Sequence, residues 1–199
     1  PVVKIVLGEG SPNKILLAAG IHGDEPAGVD SLCLFLKEKR YKRYINKCEI
    51  TFLPCINPTG YEAGTRRNFN NIDLNRKFKL KKPPLEVRCV QTVFQDPFDM
   101  TIELHEDCES DGFYLYQAKD SNGETILGYK ILRNVKKMMP INTSQEIDGM
   151  PAVSGVIQVK PMPRKMRFWP MAIYAMTKGT SQFLTLETPS TLPLSKRIR

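Results

Sequence analysis

The run KILLAAG, residues 14–20, constrains the fold more than any other stretch. After Lys14 it has no polar side chain, so it cannot show the in–out alternation of a strand with one wet face. A strand that is apolar on both faces needs cover on both, and a sheet layered between helices supplies it. The segment PAGVDSLCLFLKEK (26–39) follows at once and reads as a helix. Pro26 suits its first turn, Asp24 and Glu25 suit its positive end, and Leu32, Phe35 and Leu36 share a face. The same alternation recurs. EITFLPCIN (49–57), MTIELH (100–105) and SQFLTLE (181–187) read as strands, and PLEVRCVQTVFQ (84–95) and GETILGYKILRNVKKMM (123–139) as helices. VVKIVL (2–7) reads as a strand joined to KILLAAG by a turn, and FYLYQ (113–117) adds another. The pattern predicts an α/β fold, a mixed, mostly parallel central sheet flanked by helices. It is expected to be one domain over residues 1–199, open to truncation at its C-terminal end, with a loop-dominated lobe at 148–170.

Composition excludes several classes. No run of about 18 apolar residues exists, so no transmembrane helix and no membrane partner are expected. PVVKIVLGEG at the N-terminus lacks a basic segment followed by an apolar one, so no signal peptide is visible, although it also lacks an initiator Met. The 5 cysteines are odd in number and never in a CxxC pair, which favours a reducing compartment over a disulfide framework. A cytoplasmic location follows as the expectation. Cys33 and Cys55 fall in apolar segments and are expected in the core, and Cys108 reads as a loop thiol. The net charge of +8 is concentrated in clusters such as KFKLKK (77–82) and PRKMR (163–167). With no zinc finger, RNA-recognition signature or phosphate loop beside it, the charge implies a solvated surface and acidic groups on the substrate rather than nucleic acid.

The chain has only 2 histidines, and each follows an apolar run. His22 lies in GIHGDEPAG (20–28), three residues before Glu25, and His105 ends TIELH. In open α/β sheets, sites form beyond the carboxyl ends of strands. His22 and Glu25, spaced i, i+3 across a strand-to-helix loop, can converge on one point with a third ligand from a distant strand. Two imidazoles and a carboxylate suit catalytic zinc, which takes three such ligands and keeps one position for water, better than calcium or magnesium. An isolated HxxE is common by chance; the weight comes from both histidines standing at strand ends beside carboxylates. Glu103 shares a strand face with His105, and Glu106 lies just past it; either suits a supporting role. Tyr114 and Tyr116 share a strand face and read as packing residues.

Between the two histidines lies NPTGYEAGTRRNFNNIDLNRKF (57–78), with Arg66, Arg67, Arg76 and five asparagines in one irregular segment. Long irregular loops in compact domains tend to be functional, and guanidiniums grip carboxylates in a bidentate fork.

Taken in order, HGDE, NPTG, DLNRKF, ELHE and LETP resemble the zinc carboxypeptidase superfamily. That superfamily includes pancreatic-type carboxypeptidases, murein peptide amidases, succinylglutamate desuccinylases and aspartoacylases. The ordered motifs run from residue 20 to 189. The resemblance implies one Zn2+ per chain on His22, Glu25 and His105. It implies a substrate-carboxylate pair at Asn75 and Arg76, and an oxyanion-stabilising arginine at Arg66, with Arg67 as the alternative. It puts the general base at Glu187 and leaves Asp73 as a brace. Only the resemblance selects Glu187; Glu103 and Glu106 are nearer to His105 in sequence.

The implied activity is that of a zinc metallocarboxypeptidase, cleaving a C-terminal peptide or peptide-like amide beside a free carboxylate. An N-acyl amino acid deacylase of the desuccinylase or aspartoacylase type is the alternative, and an inactive binding protein on the same fold is a third reading. The substrate is accordingly a peptide or acyl-amino acid with a free carboxylate. Two departures stand out. Tyr174 is not at the spacing of the pancreatic enzymes' substrate-binding tyrosine. The sequence also stops 12 residues after Glu187, without the further β domain of the deacylase branch, which favours the peptidase branch. The KPMPRKMR segment (160–167) hints at acidic substrates.

Overall fold

A computed structural model describes residues 2–119, 126–160 and 164–198. The expected architecture is present. Among the described residues, one sheet carries nine strands: β1 (Ile5–Leu7), β2 (Lys14–Ala19), β3 (Glu49–Leu53), β4 (Met100–Asp107), β5 (Tyr114–Lys119), β6 (Glu146–Ile147), β7 (Met150–Val153), β8 (Val156–Gln158) and β9 (Gln182–Pro189). Their spatial order is β1-β3-β2-β4-β9-β5-β8-β7-β6. The central strands β3, β2, β4 and β9 are mutually parallel, while β1, the β5–β9 pair and the β6–β7–β8 ribbon are antiparallel.

Helices cover both faces. On one side α1 (Pro26–Lys37) and α4 (Leu127–Val135) pack on Ala19, Phe52, Leu115 and Leu184. On the other, α3 (Leu85–Val93) and α5 (Met171–Thr177) pack on Leu16, Ala18, Ala118 and Phe183. The described residues also include the short helices α2 (Pro58–Ala63) and α6 (Leu194–Arg197). Among the described residues, no helix is long and apolar enough to cross a membrane.

KILLAAG behaves as its composition demands. Leu16 and Ala18 serve the core on one face and Leu17 and Ala19 the core on the other. Its hydrogen-bonded neighbours are β3 and β4; β1, joined to it by a turn, lies beyond β3. The predicted lobe at 148–170 contains the hairpin of β7 and β8. The core cysteine is Cys48, not Cys33, which is exposed on α1, and Cys55 is half-buried. Part of the predicted helix at 123–139 lies outside the described residues.

The loop after β2 sits against backbone. A Cβ on Gly23 would lie 1.9 Å from the carbonyl carbon of Gly60, at the start of α2. Backbone cannot yield as a flexible side chain can. Gly23→Ala is therefore expected to cost at least about 1–3 kcal/mol and to displace His22 with the loop. Thermal unfolding and metal affinity of the variant check this; an unchanged Tm would count against so tight a contact.

Candidate metal centre

The parallel strands β2 and β4 deliver their carboxyl ends side by side, so the loop after β2 meets the last turn of β4. His22 and Glu25 come from that loop and His105 from β4. Each can offer one ligand atom so that the three lie within 4.8 Å of one another, and all three residues are buried. Glu25 Oε1 is 2.6 Å from His22 Nδ1 and Glu25 Oε2 is 2.8 Å from His105 Nδ1. The opposite ring nitrogens also face carboxylates. His22 Nε2 is 3.5 Å from Asp73 Oδ1, and His105 Nε2 is 3.6 Å from Glu103 Oε2. Such an arrangement fixes ring orientation and leaves both Nδ1 atoms for a metal.

Glu25 stands at the N-cap of α1, yet its carboxylate makes no capping bond there. Both oxygens are given to the imidazoles. Glu106 fills the cap from β4: its Oε1 accepts from Ala27 N at 2.7 Å, and its carboxylate pairs with Arg197 of α6. The Glu106 backbone N–H also donates to Glu25 Oε2 at 3.3 Å. Burial works to raise the Glu25 carboxyl, but His105 and His22 outweigh it and hold the pKa at about 2. Burial likewise opposes the charge on His105, but Glu25 and Glu103 lift its pKa well above the ordinary value.

The long polar segment organises itself before it reaches the site. Asn57 Oδ1 caps α2 by accepting from Gly60 N, and its Nδ2 donates to Arg66 O. Asn68 Oδ1 accepts from the backbone of Asn70 and Ile72, while its Nδ2 donates to Glu86 on α3. These asparagines shape the loop. Asp73 Oδ1 accepts from Asn75 N at 3.0 Å, and its Oδ2 lies 3.4 Å from Arg66 Nε. Burial opposes its charge, but His22, Arg66 and Arg76 hold the Asp73 carboxyl well below the usual range.

A cavity of about 340 Å³ opens beside the histidines. It is lined by His22, Glu25, His105, Arg66, Asn75, Arg76 and Glu187 together. Arg67 is not among its lining residues; its guanidinium donates to Asn71 O at 3.2 Å. Glu187 pairs in register with His105 across β4 and β9, and with Tyr114 across β5 and β9. Burial raises the Glu187 carboxyl to about 8; His105 opposes this, and Glu25, Asp107 and Asp148 add to it. Asn75 is buried, and its Oδ1 accepts from Met171 N at 2.9 Å.

Tyr116, Asp148 and Tyr114 contribute to the site without having been singled out as site residues by the sequence. Tyr116 lines the cavity, and its hydroxyl donates to Asp148 Oδ2 at 2.6 Å. Asp148 and Gly149 both have positive φ, in the turn between β6 and β7. The Asp-Gly pair was the available signal for that turn. Tyr114 lines the cavity too and donates to Asp107.

A three-layer α/β fold with this residue set at adjoining strand ends defines a zinc carboxypeptidase-like hydrolase fold. Residues 11–187 match the profile of the succinylglutamate desuccinylase/aspartoacylase catalytic domain, and the chain belongs to that family. Carboxypeptidase E of Caenorhabditis elegans is 31% identical over 125 residues, covering 50% of this chain and 26% of that protein. The chain thus spans about a quarter of that relative's length. A candidate metallopeptidase from Shewanella amazonensis SB2B superposes with a TM-score of 0.82 at 24% identity, over 100% of this chain and 77% of its own. The cell shape determinant Csd4 of Helicobacter pylori, solved with a bound tripeptide, gives 0.64 at 19% identity, over 100% and 52%. Family and relatives together indicate a hydrolase of the metallocarboxypeptidase-like or desuccinylase/aspartoacylase type.

Proposed function

We propose that the chain is the catalytic domain of a zinc-dependent metallocarboxypeptidase, hydrolysing a C-terminal peptide or peptide-like amide bond next to a free carboxylate. The observation that carries this reading is the shared cavity. Asn75, Arg76, Glu187, the two imidazoles and Glu25 all line it together. The donor set fits zinc: two neutral-capable imidazole nitrogens and a carboxylate, buried, with Asp73 and Glu103 behind the rings. When bound, zinc would supply Lewis-acid chemistry, lowering the pKa of a water and polarising the scissile carbonyl.

The protein's own groups divide the remaining work. Arg76 receives the terminal carboxylate by charge-assisted hydrogen bonds. The Met171 N–H holds the Asn75 amide oxygen, which leaves the amide nitrogen to donate to the same carboxylate. Glu187 takes a proton from the attacking water and returns it to the leaving nitrogen. Arg66, 42% exposed at its side chain and steered by Glu25 and Asp73, faces the oxygen that gains charge in the transition state. The tripeptide bound in Csd4 accords with a peptide substrate.

The deacylase reading draws on the family profile, and one panel separates the two. Zinc per chain is measured first. Hydrolysis is then compared for free-acid peptides, the same peptides amidated at the C-terminus, and N-acyl amino acids. About one zinc per chain is expected, with free-acid peptides cleaved and amidation costing roughly 10- to 100-fold, the worth of a charged hydrogen bond. Faster turnover of N-acetyl or N-succinyl amino acids would transfer the assignment to the deacylases. A chain that takes up no zinc would end both readings.

A further inference from the structure

We propose that the cavity selects a C-terminal residue carrying an amino group at the end of an aliphatic side chain, and that Glu103 is the residue that reads it. The inference rests on the carboxypeptidase reading and adds to it the substrate class.

Two rows of side chains cross the sheet on the cavity face. The upper row is His105, Glu187 and Tyr114, one from each of β4, β9 and β5. Two residues earlier along β4 and β9, and two later along antiparallel β5, stand Glu103, Thr185 and Tyr116 in register. All three line the cavity. This second row lies one pleat below the row of the proposed chemistry and shares its cavity. Its walls are apolar: Ala172 and Ile173 of α5, Phe183 of β9, Met150 and Met166.

A polar floor beneath apolar walls invites a side chain with an aliphatic stem and a polar end. The charge of the floor decides which end. Glu103 is 2% exposed. Its Oε2 stands 3.6 Å from His105 Nε2, whereas its Oε1 has no hydrogen-bond partner among the described residues. An unpaired buried carboxylate oxygen is costly, and a ligand that supplies the missing donor relieves the cost. Asp148, hydrogen-bonded to Tyr116, adds a further carboxylate to the lining. The only lysine or arginine side chains lining the cavity, among the described residues, are Arg66 and Arg76. A substrate with a carboxylate for Arg76 and an ammonium for Glu103 matches both ends.

The alternatives fit worse. An acidic side chain would bring a second carboxylate against Glu103. An apolar side chain of equal length would leave Oε1 unpaired. The acidic-substrate hint of KPMPRKMR has no support at the floor. Of its described residues only Met166 lines the cavity, and Lys160, Arg164, Lys165 and Arg167 are exposed.

The test compares otherwise identical short peptides ending in lysine, norleucine and glutamate. Norleucine keeps the aliphatic stem and removes the ammonium. Lysine is expected to exceed norleucine by about tenfold or more in kcat/KM, since sites built to pair a polar group discriminate strongly against analogues lacking it. Glutamate is expected to be poorest. In Glu103→Gln the lysine-to-norleucine ratio should collapse toward one. A role confined to backing His105 would slow all three peptides alike and keep the ratio, which would overturn the proposal. Binding of free L-lysine, L-norleucine and L-glutamate to the zinc-loaded wild-type protein, read by calorimetry, tests the pocket without turnover. Lysine binding tightest with no peptide cleaved would support the pocket and count against the carboxypeptidase reading. Turnover with a flat or glutamate-preferring profile would leave that reading standing and overturn the pocket.

Discussion

Glu187→Gln is expected to lower kcat by roughly two to four orders of magnitude, the usual worth of a positioned acid–base group, while the protein still binds one zinc. Besides Glu25, three buried or half-buried glutamates stand near His105, and packing separates them. Glu106 is committed: one oxygen caps Ala27 N at 2.7 Å and the carboxylate pairs with Arg197. Glu103 lies one pleat below and faces the far nitrogen of His105. Glu187 alone stands level with His105 on the neighbouring strand, and it lines the cavity together with Asn75 and Arg76. Glutamine keeps the shape and the hydrogen-bonding reach and removes only the ability to accept and return a proton. Zinc content, Tm and kcat of the variant are measured together. Activity within tenfold of wild type would remove Glu187 from the proton-transfer role. Loss of zinc along with activity would mean that the residue holds the centre together and leaves its catalytic part unsupported.

How legible the site was depended on whether a residue's role is set locally or across the sheet. KILLAAG declared its two-faced burial because every residue after Lys14 is apolar, and the parallel core followed. His22, Glu25 and His105 stood out because the chain has no other histidines and both sit where strands end. Helix α5 escaped, for a physical reason. Met171 to Ala175 are all buried, so the segment has no polar face and no 3.6-residue period to read. Cys33 was misplaced because it lies in an apolar run; Val29 and Leu32 turn inward on α1, and Cys33 falls on the outer side of the turn. The order of β1, β3 and β2 follows from long-range pairings such as Ile5 with Phe52 and Lys14 with Glu49, which no turn sequence encodes. Tyr116 looked like packing because its partner, Asp148, approaches from a hairpin 32 residues away. The floor of the cavity becomes visible only when β4, β9 and β5 are set in register.

Zinc affinity is expected to rise steeply with pH through neutrality, with about one proton released for each zinc bound. The cause is the metal-free state of the centre. Burial opposes a charge on His105, but Glu25 and Glu103 on either side of the ring keep it protonated well above the ordinary histidine value. A protonated Nδ1 cannot be a ligand, so the metal must displace that proton, and affinity gains roughly tenfold per pH unit for each proton displaced. Glu25 contributes none of this near neutrality, because its carboxyl already ionises at about 2. The two shifts have opposite consequences for the metal-free fold. The raised His105 value adds stability that is fully present below the unfolded histidine pKa of about 6.5 and disappears as pH climbs through the folded value. The depressed Glu25 value adds stability present above the ordinary carboxyl range and lost as pH falls toward about 2. Of these two only the first changes across neutrality, and the Glu187 carboxyl, raised by burial to about 8, also lowers stability as pH rises toward that value, so the metal-free Tm should fall with rising pH while the increment from a fixed free zinc concentration grows. Calorimetric titrations at one pH in two buffers of different ionisation enthalpy count the proton directly. Zinc-dependent Tm shifts at pH 6 and pH 8 check the trend. A pH-independent affinity with no proton released would mean that His105 is neutral before the metal arrives, and the Glu25–His105–Glu103 chain would then have to be read as a set of neutral hydrogen bonds.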